Sequence, residues 1–410
     1  MAGGLRRWDD LDMRRLGALG VAAVLAVALA GCPAGGNNAV PTPTTNVPVT
    51  TVPATVQKFP DPGTAPLEPA KARVLQAVLA QIVSRYAIAP EAESAAPGVT
   101  AAIVTDRWIW SGAAGKDASG TALTPTTSMA VASITKTFIA AEVMRLARDE
   151  QIDLRAPIST YVKHKLTANG ATVQQHLAML SGVLDYLPDD YARMNKAITA
   201  APGRHWTPQQ ALSYDTAPSL QPGNLFGYSN PNYVLLGMMI EKVTGRPLAE
   251  VLRHDLAVPA GLQHAAFQDG EKPQPPVARD VDPLCGKIDD GYIPCRAVAS
   301  RSAANAGLAA DAPTIARWGY QLYGGRVIQP ELVEEMTGGD GEYGLGTMRF
   351  SQEFGIGDAV GHTGDMPDYT SMLLVIPAKR LSVAMLIADG NKNVRTMTAE
   401  LTTALQPLLG

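Results

Sequence analysis

The order of the periodic segments predicts an α+β fold, with one antiparallel sheet built from both ends of the chain around a mainly helical insertion. Three observations carry that expectation. A helical stretch and two β-like runs open the folded region, a Pro- and Gly-rich middle reads as helices and loops, and the C-terminal part returns to β-like patterning. With 410 residues, 46% of them apolar, the chain can bury a large core. Its net charge of −4, with no Lys/Arg run, argues against a nucleic-acid footprint.

The elements follow in order. Arg14 and Arg15 precede an apolar stretch from Leu16 to Ala30 that is too short to span a bilayer as an ordinary helix, so residues 1–31 read as an export signal. Asp9, Asp10 and Asp12 are unusual in such a segment, which leaves Met13 as an alternative start, and Arg14-Arg15 is also a twin-arginine pair. Residues 32–66 are dense in Pro, Thr, Ala and Val without helical or strand period, and read as an extended tether. The folded domain is expected over 67–410. Its first helix runs from Leu67 to Tyr86 on the spacing of Val74, Val78, Leu79, Ile82 and Val83, and a hairpin of Val99 to Val104 and Trp108 to Ala113 turns at Asp106-Arg107. A helix through Phe138, Ile139, Val143, Met144 and Leu146 comes next, and Tyr233 to Val243 is helical within the middle section. Late strands are expected at Tyr343 to Arg349, Ala359 to Thr363, Tyr369 to Ile376 and Leu381 to Ile387, followed by a closing helix from Val394 to Leu409.

The cysteines are few. Beyond Cys32 there are only Cys285 and Cys295, and in an exported chain closing so short a loop favours a disulfide worth roughly 3 kcal/mol. Two separate buried thiols, or less readily a zinc pair, are the alternatives.

Ser133-Ile-Thr-Lys136 is the one Ser-x-x-Lys in the chain and precedes the apolar helix. Residues three apart share a helix face at roughly 5–6 Å between Cβ atoms, so the Lys136 amine can reach the Ser133 oxygen. A lysine with a lowered pKa can take the serine proton, which makes the pair a candidate acyl-transfer centre. Chance alone supplies about one such tetrapeptide in a chain this long, so the motif needs context.

That context comes from two further motifs, Tyr228-Ser-Asn230 and His362-Thr-Gly364, in the same chain order. Together with Leu177-Ala-Met-Leu-Ser-Gly182, Ser229-Asn-Pro-Asn-Tyr-Val-Leu-Leu-Gly237, Glu241 to Gly245 and Tyr343-Gly-Leu-Gly346, they resemble the serine β-lactamase-related family of class C β-lactamases, D,D-peptidases and esterases. The similarity spans about residues 70 to 405. It implies a β-lactamase/transpeptidase-like fold with the three motifs on one cleft. Ser133 would be the nucleophile, and its N–H at a helix start would face the oxyanion. Lys136 and Tyr228 would share the acid/base work, the phenol losing its proton below its usual pKa beside an ammonium, and the sequence does not divide the proton between them. Asn230 would orient the lysine and offer an amide to substrate, and Thr363, Gly364 and the Asp365 backbone N–H would line the far wall. Leu29-Ala-Gly-Cys32 likewise resembles the bacterial lipobox, which implies a lipid-bearing Cys32 and an extracytoplasmic, membrane-anchored protein; a plain secretory signal is the alternative.

Two positions depart from the family pattern. Class C enzymes carry Lys where this chain has His362, and a histidine is mostly neutral at pH 7, so recognition of a substrate carboxylate should weaken. Asp365 stands where family members with His-x-Gly usually carry glycine, and a carboxylate pointing inward would oppose an oxyanion. There is no Gly-x-Ser-x-Gly elbow, no His-Glu-x-x-His and no phosphate loop, and no metal or other cofactor is expected. The sequence therefore predicts a serine hydrolase that forms an acyl-enzyme on a small ester, a cell-wall D-amino-acid peptide or a β-lactam, with a non-catalytic peptidoglycan or penicillin binder of the same fold as the alternative.

Overall fold

The computed structural model describes residues 58–409 apart from 88–97, 224, 280–282, 287, 340 and 391–392. The expected export signal over residues 1–31, Cys32 and most of the Pro/Thr-rich stretch lie outside the described residues.

Seven strands form the main sheet: β1 (Ala65–Pro66), β2 (Val99–Val104), β3 (Trp108–Ala114), β7 (Met348–Phe350), β8 (Ala359–Asp365), β9 (Thr370–Ile376) and β10 (Leu381–Ile387). Their order is β1-β3-β2-β10-β9-β8-β7, so the two ends of the chain meet where β2 pairs with β10 from Val99↔Ile387 to Val104↔Ser382. A small second sheet, β4-β6-β5, joins β4 (Met129–Ala130) and β5 (Ala266–Phe267) to β6 (Leu308–Ala310). The Pro- and Gly-rich middle supplies helices, among them Asn230–Thr244, which ends at Gly245 with φ of 67°. Glycine reaches that left-handed conformation without a Cβ clash.

β9 and β10 are mostly apolar and buried along their whole length because both faces are covered. On one face Leu374, Ile376, Val383 and Met385 pack with Leu75, Leu79, Ile82, Met397 and Leu401 of the Pro69–Ala87 and Val394–Leu405 helices. On the other face Leu373, Val375, Ala384 and Leu386 meet Trp318 and Tyr320 of the Ala312–Tyr323 helix. Gly319 lets that helix lie close, since a Cβ there would stand 2.5 Å from Leu373 Cδ1. Behind it lies the Thr135–Arg148 helix, joined through the Phe138–Trp318 stack at 3.7 Å.

Four expectations change. The fold takes in the chain from Phe59, which is buried and donates its N–H to Gly324 O at 2.8 Å, earlier than the expected boundary at 67. β1, drawn from that stretch, pairs parallel to β3, so the sheet is mixed and not wholly antiparallel. Val74 faces solvent, and the first helix buries Leu75 in its place. Of the run expected at 343–349, only Met348–Phe350 pairs as a strand. The preceding glycines are used otherwise: Gly346 has φ of 69°, and a Cβ there would lie 2.5 Å from Ala140 Cβ and 2.7 Å from Tyr233 Oη. Cys285 and Cys295 are joined by a disulfide.

Candidate active site

Ser133 sits in a 3-10 turn, Ala132–Ile134, that runs directly into the Thr135–Arg148 helix. The residue before it, Ala132, has φ of 48°, a left-handed conformation that costs a non-glycine residue roughly 1–2 kcal/mol. Tertiary bonds hold it there. Val131 donates its N–H to Leu308 O at 3.0 Å and its carbonyl accepts from Ser371 Oγ at 2.8 Å, while Thr135 Oγ1 donates to Ala132 O at 2.7 Å. The turn lifts Ser133 to partial exposure while Lys136, one turn on, is 0% exposed.

The expected centre assembles. Lys136 Nζ lies 2.9 Å from Ser133 Oγ, and Tyr228 Oη donates to the same oxygen at 2.9 Å. Lys136 Nζ also donates to Asn230 Oδ1 and to the Asn305 carbonyl, each at 2.9 Å. Carbonyl oxygens only accept, so these two partners take two N–H bonds of a neutral amine and leave its lone pair toward the serine hydroxyl. The ammonium would also stand over the Tyr228 and Tyr233 rings, at 5.0 and 5.6 Å from their centroids.

Burial moves the two candidate bases in opposite directions. Desolvation lowers Lys136 from 10.5 to about 7, against a smaller raising influence of Asp185. The same burial raises the Tyr228 phenol, partly offset by its bond to Ser133, with Asp185 and Asp365 adding to the rise. The expectation of a phenol ionising early is therefore reversed: no ammonium field outweighs the loss of water. The Tyr228 hydroxyl donates to Ser133 Oγ, and of the two groups only Lys136 is brought toward neutral pH.

Asn230 orients the lysine as expected, but its amide is not free for substrate. Nδ2 is turned to Asp185 Oδ2 at 3.3 Å and Tyr191 Oη at 3.4 Å, and Oδ1 takes a further bond from Asn305 Nδ2 at 3.1 Å. Asp185 also accepts the Asn230 N–H at 2.9 Å, so it fixes both backbone and side chain of that residue.

The far wall is β8. Met366 N–H donates to Tyr369 O at 2.9 Å, which makes 366/369 a hydrogen-bonded pair, and the register 364↔371 and 362↔373 continues it. Thr363 and Asp365 then point their N–H and C=O groups away from β9. β7 pairs only as far as Gly361, so that edge is open on the nucleophile side. The Asp365 N–H thus points out of the open edge of β8, and the Ser133 N–H, as a helix-start group, has no intrahelical acceptor. Gly364 allows the approach: a Cβ there would meet Val131 O and Ser371 Oγ at 2.2 Å.

His362 departs from its expected substrate-binding role. It is 0% exposed, and its Nδ1 lies 2.6 Å from Thr363 O, so Nδ1 carries the proton and Nε2 accepts the Tyr343 hydroxyl at 3.1 Å. Burial, then the Lys136 charge, lowers its pKa to about 3. It is a neutral brace for Tyr343 with no nitrogen left for a ligand. Thr363 is half-buried, and its hydroxyl reaches Met348 Sδ at 3.5 Å. Asp365 is exposed, and because side chains alternate along a strand it is out of phase with His362 and Gly364. Its side chain is on the other face of the strand from Gly364, and partial loss of water around the carboxylate raises it to about 6.

Asp185 and Asn305 are functional residues that the sequence reading missed. Asn305 has one faint signal, a lone polar residue in the small-residue run Ala303-Ala304-Asn305-Ala306-Gly307. Asp185 has none beyond standing shortly after Gly182 in one of the family-like stretches.

A serine in contact with a buried lysine and a tyrosine hydroxyl, beneath an open strand edge, defines a serine hydrolase. A sequence model of the β-lactamase family matches residues 75–406, and the chain belongs to that family. Among curated relatives, Protein flp of Staphylococcus aureus (strain COL) is 31% identical over 149 residues, 35% of this chain and 29% of that protein. The putative penicillin-binding protein PbpX of Bacillus subtilis (strain 168) is 27% identical over 172 residues, 42% of this chain and 40% of that protein. The matches thus cover less than half of these relatives' length. Among solved structures, the D-stereospecific amidohydrolase from Streptomyces sp. matches with TM-score 0.66 and 26% identity over 79% of this chain and 98% of that one. The D-amino acid amidase from Ochrobactrum anthropi SV3, complexed with L-phenylalanine amide, matches with TM-score 0.68 and 21% identity over 83% of this chain and all of that one (100%).

Proposed function

We propose that the protein is an extracytoplasmic, lipid-anchored hydrolase that acylates Ser133 with the carbonyl of a D-amino-acid peptide or amide, or of a small ester. The observation that carries this reading is the convergence of Lys136 Nζ and Tyr228 Oη on Ser133 Oγ, both at 2.9 Å. Ser133 Oγ attacks the carbonyl carbon while its proton passes to Lys136 Nζ, and the oxyanion is met by the Ser133 and Asp365 N–H groups. Collapse breaks the bond to the leaving group, which takes a proton through the Lys136 and Tyr228 pair. Water, deprotonated by the same lysine, then hydrolyses the ester and returns Ser133. The membrane location rests on the Leu29-Ala-Gly-Cys32 ending and the export-like run before it. β-Lactams are the weaker substrate class, since a neutral, engaged His362 offers no cation to their carboxylate.

The test is labelling by a fluorophosphonate, followed by hydrolysis of p-nitrophenyl esters, nitrocefin and D-Ala-D-Ala peptides. Labelling is expected to vanish in Ser133→Ala. Labelling that survives that substitution removes the nucleophile assignment, and a folded protein that turns over none of the panel favours a peptidoglycan or penicillin binder.

A further inference from the structure

We infer that Asp185 is a positioning residue that works on Lys136 through Asn230: it fixes the sense of the Asn230 amide and supplies the counter-charge of the lysine ammonium. The inference rests on the hydrolase reading above and concerns how that site is kept ready. Asp185 is partly buried in the loop that leads into the Pro188–Ala200 helix. Its Oδ1 accepts the Asn230 N–H at 2.9 Å, and its Oδ2 accepts Asn230 Nδ2 at 3.3 Å and the Tyr191 hydroxyl at 3.0 Å. An ionised carboxylate only accepts, so the Nδ2 side of the amide must meet it and the Oδ1 side must meet Lys136. Oδ1 then accepts from Lys136 Nζ at 2.9 Å and from Asn305 Nδ2 at 3.1 Å. With one N–H of the amine committed to Oδ1 and another to the Asn305 carbonyl, the remaining position faces Ser133 Oγ at 2.9 Å. Turned over, the same amide would offer an N–H to the lysine lone pair and take it from the serine.

The surrounding charges single out the same residue. The three hydrogen-bond partners of Lys136 Nζ are neutral, and the charge whose field reaches the amine is the Asp185 carboxylate. Tyr228 and Tyr233, over whose rings the amine lies, have phenols raised by burial, and on β8 His362 is held neutral by burial while the Asp365 field reaches Tyr228. On the side of Asp185 away from the lysine, burial also raises Tyr186 and Tyr191, and it raises Asp215 to about 6. Arg301 acts on both of those tyrosines, with its Nη1 3.3 Å from Met194 Sδ, and Asp190 is paired with Arg193 at 2.6 Å. Asn230 bonds to both Asp185 and Lys136, so charge and amide sense act along one path. The charge holds the proton on the lysine against burial, and the amide sense directs the lone pair to Ser133 once that proton is gone.

The test follows the rate at which a fluorophosphonate labels Ser133 in the purified protein from pH 4.5 to 9. The neutral lysine is the active form, so a lost counter-charge moves the rising limb of the profile to lower pH. Asp185→Asn, with Asp185→Ser as a second neutral variant should the first not fold, is expected to move the limb from about 7 down by about one pH unit. The plateau should fall about tenfold through the maximal labelling rate, with the affinity for the probe unchanged, because the freed amide can turn its N–H to the lysine. Asp185→Glu keeps the charge and should hold the limb at the wild-type position. Tyr191→Phe removes a neighbouring hydroxyl but neither the charge nor the acceptor, and should also leave the limb in place. A limb that stays at its wild-type pH in the neutral variants, or one that Tyr191→Phe or Asp185→Glu moves as far, overturns the inference while leaving a working hydrolase. Absence of Ser133 labelling in the wild type overturns the hydrolase reading itself.

Discussion

Replacing Lys136 by methionine separates the roles that burial forces on one amine. In the native cleft the amine has a pKa of about 7, against 10.5 in water. At pH 7 about half of the molecules then hold a free base beside Ser133, where an unperturbed lysine would supply roughly three in ten thousand, a gain of over a thousandfold. Since the neutral form is the active one, the acylation rate should rise about tenfold per pH unit below 7 and level off above it. The cost falls on stability. The unfolded chain binds a proton that the folded chain has lost between pH 7 and 10.5, so Lys136 makes stability rise with pH across that window, and below 7 its full penalty is present. Lys136→Met should lower the rate by about 10²–10⁴ and erase the limb near 7, yet melt no lower than the wild type at pH 6. Stopped-flow acylation by a p-nitrophenyl ester from pH 5 to 9 reads the first effect, and calorimetry the second. Asp365, whose carboxyl rises to about 6, is the nearby competing titration, so Asp365→Asn is the control and should keep the limb at about 7. A limb that persists in Lys136→Met, or a wild-type rate flat over this range, refutes the assignment.

Two further perturbations probe the neighbours. Tyr228→Phe removes the hydroxyl that donates to Ser133 Oγ, and since that phenol is raised well above neutral pH, the rate should fall by about 10²–10³ with the limb near 7 unmoved; a shifted limb in a pH–rate profile would show the phenol to be the base. Gly364→Ala drives a methyl into Val131 O and Ser371 Oγ, which should cost about 1–3 kcal/mol by denaturant unfolding and about 10² in rate as β8 moves off the nucleophile turn; native stability and rate would mean that the strand edge does not set the site.

The strands β2, β9 and β10 were legible because each is a short apolar run between breakers, and their burial on both faces keeps that pattern in the sequence. β1 was not, since two residues, Ala65 and Pro66, carry no period and pair only because the chain from Phe59 docks beside Gly324. The glycines of 343–346 look compatible with a strand in the sequence and become a loop in space, where Gly346 packs on Ala140 and Tyr233.

The sequence by itself put Lys136 within reach of Ser133 through helical spacing, offered Tyr228 through its resemblance to the family, and favoured a Cys285–Cys295 disulfide over two free thiols. What only the tertiary structure decided is how these groups are charged and where they face. Solvent exclusion is a property of packing, so nothing in Tyr228-Ser-Asn230 or Ser133-Ile-Thr-Lys136 reveals that the lysine falls to about 7 while the phenol rises. His362 and Asp365 are neighbours but for two residues on one strand; strand parity and depth bury the first as a neutral brace and leave the second at the rim. Asp185 and Asn305, distant in the chain from the residues they hold, gain their roles through contacts that no local pattern encodes.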